Sequence, residues 1–135
     1  MSVTNTGVGH FFPTYVTPRV LIRGFQQDAA GRKLGGTEQQ FVIGRQVSQD
    51  LSREIADTRI APDAKSAFDY RGPHHGGATS LVWQVEVQPD AFYLEFYGAL
   101  LRDPLVGPSR SWIALARDSA AASSFSIFSR QVPLP

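Results

Sequence analysis

Residues 80–88 read SLVWQVEVQ, and this run indicates the fold class more clearly than any other part of the chain. Apolar and polar side chains alternate along it with a period of two, which is the pattern of a β-strand with one buried face. The side chains predicted to point inward are Leu81, Trp83, Val85 and Val87. The sequence therefore predicts a sheet that has one apolar face in need of a cover.

Several runs on the N-terminal side have the same character. Residues 19–27 (RVLIRGFQQ) are rich in β-branched and aromatic side chains, and the DAAGRK segment at 28–33 supplies the chemistry of a hairpin turn. Residues 39–47 (QQFVIGRQV) alternate as a half-buried strand does. Shorter strands are predicted at Val3 and at 66–71, so the first two-thirds of the chain is predicted to be strands and turns.

Two loops interrupt these strands. The segment GHFFPTYVTPR at 9–19 has two prolines within six residues, which disfavours both a helix and pairing inside a sheet. We expect it to be ordered, because proline restricts the backbone and its aromatic side chains offer apolar anchors. The segment GPHHGGA at 72–78 is predicted to be a second loop, and residues 50–58 are polar without a clear period.

The hydrophobic period changes from two to about 3.6 at Pro89. This change predicts a helix over 90–102, with Asp90 as the side chain that caps its first turn. A second helix is predicted over 111–122 and a closing strand over 125–134. Aromatic side chains on one strand and on one helix face are normally part of the core. We therefore expect four aromatic side chains to be core residues: Trp83, Tyr93, Phe96 and Tyr97.

Together these elements predict a mainly β protein. The favoured architecture is an Ig-like β-sandwich decorated by a C-terminal helical hairpin and a closing strand, and a partly open β-barrel is the alternative. The length of 135 residues and an apolar fraction of 42% fit a single domain over 1–135 with one core.

Charge and cysteine content limit the classes of function. The formal net charge is +1 and no basic run stands out, so we expect no nucleic-acid partner. The chain has no cysteine, which excludes a disulfide, a thiolate metal site and the C-x-x-C-H run that attaches haem c. No run of about 20 apolar residues predicts a membrane span, and the first residues do not resemble a signal peptide.

Histidines suggest one metal hypothesis. The chain has three, His10, His74 and His75, and three imidazoles can bind zinc or copper if the loops that carry them meet. Adjacent histidines in an extended loop point in different directions, and no H-x-H or H-x-x-x-H spacing is present. We therefore expect no metal site, and keep a small metal-binding domain or enzyme using these residues as the alternative function.

Other catalytic signatures are also missing from the sequence. There is no G-x-S-x-G elbow, and the aspartates fall in turns or on polar strand faces, where structural roles are usual. Asp57 and Arg59 flank Thr58 between a loop and a strand, and their side chains can form either a structural network or a bidentate anion clamp. We favour the network, and expect that the domain is not an enzyme.

Four blocks of the chain resemble the haem-free C-terminal β domain of bacterial multihaem c-type cytochromes. The most specific block is VTNTGVGHFFPTYVTPR at 3–19, whose Gly-His-x-x-Pro-Thr loop leads into a strand that ends in an Asp-x-x-Gly turn at 28–31. The block IADTRIAP at 55–62 is similar to the family's Asp-Thr-Arg-Ile-x-Pro element. PDAFYLEFYGALL at 89–101 is similar to its aromatic helix, and FSIFSRQVPL at 125–134 to its closing strand.

The resemblance implies a non-catalytic structural or docking module that acts in electron transfer. It implies a domain cut from a longer cytochrome, exported or periplasmic, with haem c carried by segments N-terminal to this region and no cofactor in this chain. The implied partner is a cytochrome haem domain of the same or a neighbouring chain, and a homodimer is a further expectation. The expected docking loop contains His10, Phe11, Phe12, Thr14 and Tyr15. An apolar patch is expected there and on the neighbouring ends of the 90–102 helix.

Overall fold

The computed structural model describes residues 1–135 and is mainly β, as predicted. It contains seven strands and two α-helices, with 3₁₀ turns at Pro104–Ser109 between the helices. The strands are β1 (Ser2–Thr4), β2 (Arg19–Gln27), β3 (Gln39–Val47), β4 (Glu54–Asp57), β5 (Lys65–Ala67), β6 (Ser80–Gln88) and β7 (Phe125–Pro133). The helices are α1 (Ala91–Leu100) and α2 (Arg110–Ala122).

The strands form two antiparallel sheets. The larger has five strands in the order β4-β3-β2-β6-β7, and the smaller pairs β1 with β5. The edge strands of the larger sheet are β4 and β7, which do not pair with each other, so the sheet does not close into a barrel. The central strand β2 pairs with β3 on one side and β6 on the other.

The main hydrophobic cluster lies on one face of the larger sheet, under the β1-β5 pair. Ile22 of β2 stands opposite Phe41 of β3 and Val85 of β6, which places the three side chains on the same face. Met1 and Val3, from the smaller sheet's side, pack against this cluster. The buried members of the cluster are Val20, Ile22, Ile43, Ile60, Phe68, Trp83 and Val85.

Three of the four nine-residue strands, β2, β3 and β6, have the predicted bounds, but two short strands differ. The predicted strand at 66–71 is observed only over Lys65–Ala67. The chain leaves the sheet after Ala67, and the Tyr70 hydroxyl donates a 2.6 Å hydrogen bond to the carbonyl oxygen of Thr37. Within the unpatterned segment 50–58, Glu54–Asp57 forms β4, whose side chains are all exposed, so burial imposes no alternation on its sequence.

Both helices occur close to the predicted positions, but two details were wrong. Asp90 precedes α1 without making a side-chain capping hydrogen bond. The aromatic side chains of α1 are not core: Ala91 is its buried residue, and Tyr93 is 41% exposed. The reason is that α1 and α2 pack mainly against each other, whereas Trp83 lies in the core between the sheets. No helix of the structure is long and apolar enough to cross a membrane.

Candidate functional site

The loop at 9–19 presents aromatic side chains to solvent, and we call it the aromatic loop. Phe11 is 45% exposed, Phe12 37% and Tyr15 72%. Exposed aromatic side chains close together on one loop are unusual on a surface that has no partner, because each ring leaves a large apolar area in contact with water. The loop is therefore the first candidate for a binding surface.

The aromatic loop is anchored to the body of the domain at its start. Asn5 is buried, and its side-chain Nδ2 donates to the carbonyl oxygens of His10 at 2.9 Å and Ile60 at 3.0 Å. Phe12 and Ile60 exchange two backbone hydrogen bonds of 2.9 Å. A short backbone bridge and a buried amide thus hold the loop against the segment that follows β4.

Two further contacts hold the middle of the loop. His10 Nδ1 lies 3.0 Å from the Thr14 hydroxyl, within hydrogen-bonding distance. Arg59 Nη1 donates to the Thr14 carbonyl oxygen at 3.3 Å, and its guanidinium carbon lies 5.1 Å from the centre of the Phe11 ring. This is the geometry of a cation–π contact, so Arg59 supports both the backbone and one exposed ring of the loop.

Asp57 and Arg59 form a bidentate ion pair beside the loop. Arg59 Nε lies 2.9 Å from Asp57 Oδ1, and Nη2 lies 2.7 Å from Oδ2. The side-chain hydrogen bonds from Arg59 lower the pKa of Asp57 to about 2, and the same bonds raise the pKa of Arg59. Because two edges of the guanidinium already contact a carboxylate and a carbonyl, the arrangement favours the structural network over an anion clamp.

The far end of the aromatic loop meets the start of α1. The amide of Phe92 donates to the carbonyl oxygen of Thr17 at 3.2 Å, and Arg19 Nη1 lies 2.5 Å from Glu95 Oε1. The loop is therefore hydrogen-bonded at both ends. The exposed Tyr93 lies in the first turn of this helix, next in the chain to Phe92.

The three histidines do not assemble a metal site. His10 contacts Thr14, whereas His74 Nε2 lies 3.1 Å from the Ala78 carbonyl oxygen and His75 Nδ1 lies 2.8 Å from that of Gly76. No group of three or more His, Cys, Asp or Glu side chains is placed to hold a metal ion. The alternative function based on the histidines therefore lacks the clustering that it requires.

Sequence reasoning missed two buried amide side chains. Asn5 follows the predicted strand at Val3, and asparagine is usually exposed, so its burial is not indicated by the sequence. Gln26 lies in the last two residues of β2 and is buried, with Nε2 donating to the Tyr70 hydroxyl and the Pro73 carbonyl oxygen, and Oε1 accepting from the His75 amide. Gln26 thus orders the 72–78 loop, a role that no local sequence pattern indicates.

These contacts describe a surface suited to binding, in which exposed rings are held in one conformation. The carboxyl groups whose pKa departs from the ordinary value, Asp28, Asp50, Asp57 and Glu86, are all shifted downward and stay ionised. A general acid at neutral pH needs a raised carboxyl pKa instead.

No family model, curated protein or solved structure matches the chain.

Proposed function

We propose that this domain is a non-catalytic docking module that binds the haem-bearing part of a multihaem c-type cytochrome. The proposal has two supports: the sequence resemblance of four blocks to the haem-free domain of those cytochromes, and the aromatic loop. The observation that carries it is the combination of exposure and fixation in that loop, where Phe11 and Tyr15 are open to solvent while Asn5 and Arg59 hold the backbone.

Fixation matters because binding costs conformational entropy. A loop that is already ordered loses less freedom when a partner binds, so more of the contact energy remains as affinity. Tyrosine and phenylalanine contribute large rigid areas, and aromatic residues are enriched among the side chains that dominate interfaces. The aromatic loop combines both properties, and the guanidinium of Arg59 beside Phe11 keeps one ring in place.

The same proposal includes the compartment, the cofactor and the architecture. Haem c would belong to C-x-x-C-H segments outside residues 1–135, and the domain would act in an exported or periplasmic electron-transfer protein. We also propose that the two facing antiparallel sheets form an Ig-like sandwich. The support is a core shared between the β1-β5 pair and the face of β2, β3 and β6.

The test is capture of the partner with a haem readout. Tagged domain is incubated with periplasmic extract of the source cells, and bound protein is examined by haem staining and by mass spectrometry for several C-x-x-C-H segments. We expect a multihaem polypeptide to be retained by the wild type and lost with the double variant Phe11→Ala/Tyr15→Ala. Trp112→Ala is the matched control, because Trp112 is 73% exposed on α2 and outside the loop. Capture without any haem-bearing protein, or equal retention by all three proteins, would contradict the proposal.

A further inference from the structure

A second apolar surface lies beside the small β1-β5 sheet, between the N-terminal segment and the strands β6 and β7. It is a groove of about 700 Å³ whose floor is the core face of β6 and β7 and whose wall is the chain from Met1 to Thr6. Val8 and Phe12 also contribute to its lining. Three apolar side chains of the edge strand line it while remaining exposed: Ile127, Phe128 and Val132.

The wall of the groove is an unpaired strand edge. The amide of Asn5 donates to Ala64, and the carbonyl oxygen of Met1 accepts from Phe68, so the odd-numbered residues of the segment direct their backbone groups toward the β5 side. Backbone groups alternate in direction along a strand, and β1 pairs with no strand other than β5. The N–H and C=O groups of Ser2 and Thr4 therefore point away from β5. No β5 residue lines the groove, which puts this free edge at the groove.

A single cationic side chain lines the groove. Arg130 stands opposite Trp83 in the β6-β7 pairing and shares its face with the apolar side chains of β7. None of the ion pairs of the structure involves Arg130. The other arginines of the larger sheet all form ion pairs; they are Arg19, Arg23 and Arg45. An unpaired guanidinium among apolar neighbours is complementary to a ligand that brings a carboxylate.

We propose that the groove binds an extended peptide strand that pairs with the free edge of β1 and carries an acidic side chain opposite Arg130. The occupant would alternate apolar and polar residues, with its apolar side chains on the floor formed by Trp83, Val85 and Phe128. Addition of a strand to an exposed edge takes its affinity from backbone hydrogen bonds and its specificity from alternate side chains. This inference is independent of the cytochrome proposal, because it rests on the free edge of β1, on β7 and on Arg130, and not on Phe11 or Tyr15, which do not line the groove.

The probe is the capped peptide Thr-Val-Thr-Glu-Thr-Val-Thr, in which valine and glutamate share one face. The control peptide replaces its glutamate by lysine, and a second control replaces the following threonine by proline, which removes a backbone donor. Binding is followed by amide chemical shifts and by hydrogen exchange of the Thr4 amide. We expect the glutamate peptide to bind at least about tenfold more tightly than the lysine peptide and to protect the Thr4 amide. We expect Arg130→Glu to reverse the preference.

Several outcomes would overturn the proposal. Failure of both charged peptides to bind, or binding that leaves the Thr4 amide unprotected, would exclude strand addition at β1. Concentration-dependent protection of the Thr4 amide without peptide would make a second copy of the chain the occupant. Decanoate that binds in an Arg130-dependent way, while the peptides do not, would make the groove a site for an amphiphilic carboxylate. The variant Phe11→Ala/Tyr15→Ala affects the capture experiment and leaves this peptide preference unchanged, because neither residue lines the groove, so the two proposals fail separately.

Discussion

The side chain of Asn5 donates a hydrogen bond of 2.9 Å to the carbonyl oxygen of His10. Asn5 is 4% exposed, and its Oδ1 is buried without a hydrogen-bond partner, so Nδ2 is the part of the amide that the fold uses. Through this bond the N-terminal strand positions the loop that presents Phe11 and Tyr15. The proposed binding surface is thus held by a residue that is not itself part of that surface.

The first prediction concerns this anchor. Asn5→Ala leaves the carbonyl oxygens of His10 and Ile60 without their side-chain donor, and a buried hydrogen bond of this kind contributes about 1 kcal/mol. We expect amide hydrogen exchange over residues 10–15 to accelerate by at least about fivefold, while exchange in β6 stays unchanged as the internal reference. Unaltered exchange in the loop would contradict the role of Asn5 as its anchor.

The second prediction concerns pH and the ion pair of Asp57. The Arg59 hydrogen bonds hold the folded-state pKa at about 2, below the ordinary 3.8, so the stabilisation is complete above about pH 4 and is lost as the pH falls toward 2. Asp57→Asn should lower the free energy of unfolding by about 1 kcal/mol at neutral pH and have little effect near pH 2. Urea denaturation at both pH values measures this difference.

The control for Asp57 is an exposed ion pair. Asp69 and Arg71 lie 3.4 Å apart with side chains 69% and 83% exposed, and such pairs contribute little. Asp69→Asn should change the free energy of unfolding by less than about 0.5 kcal/mol at either pH. A pH-independent loss in Asp57→Asn would contradict the role assigned to the Arg59 hydrogen bonds.

The third prediction compares the two tryptophans. Trp83 is 8% exposed within the core cluster, whereas Trp112 is 73% exposed on α2. Trp83→Ala should reduce the free energy of unfolding by about 3–5 kcal/mol through loss of burial and creation of a cavity. Trp112→Ala should change it by less than about 0.5 kcal/mol. Equal effects of the two substitutions in chemical denaturation would show that the core is assigned to the wrong face.

The fourth prediction compares two glycines. A Cβ at Gly24 would lie 2.9 Å from Tyr70 Cδ2 and 3.4 Å from Trp83 Cζ3, so Gly24→Ala should cost about 1–3 kcal/mol by overpacking. At Gly98 in α1 the nearest atom to a Cβ is Arg102 Nη1 at 3.8 Å. Gly98→Ala should therefore raise helix stability by about 0.5–1 kcal/mol. Thermal or urea unfolding that shifts in the same direction for both variants would contradict this packing.

The fold was predictable where one physical pattern dominates a segment. The nine-residue strands at 19–27, 39–47 and 80–88 have the predicted bounds, because β-branched residues and flanking turns determine their limits locally. The strand β4 was missed, since its side chains are exposed and no periodicity marks it. The burial of Tyr93 was predicted wrongly, because a helix pattern indicates an apolar face without specifying which surface covers it.

The candidate site was only partly predictable for a related reason. The aromatic residues of the 9–19 loop and the pair of Asp57 and Arg59 are visible in sequence as residue types. The groove beside β1 is not visible, because it depends on the placement of the N-terminal segment beside β6 and β7. Arg130 and Phe128 come to line the same groove as β1 only through that long-range arrangement of strands.

The central claim is that the aromatic loop docks a haem-bearing partner, and the affinity of that complex tests it most directly. The multihaem protein retained by the tagged domain is purified, and its dissociation constant is measured by calorimetry for the wild type, Tyr15→Ala and Trp112→Ala. We predict that Tyr15→Ala weakens binding by at least about tenfold and that Trp112→Ala leaves it unchanged. A dissociation constant that is the same for the wild type and Tyr15→Ala, or the absence of measurable binding by the wild type, would contradict the claim.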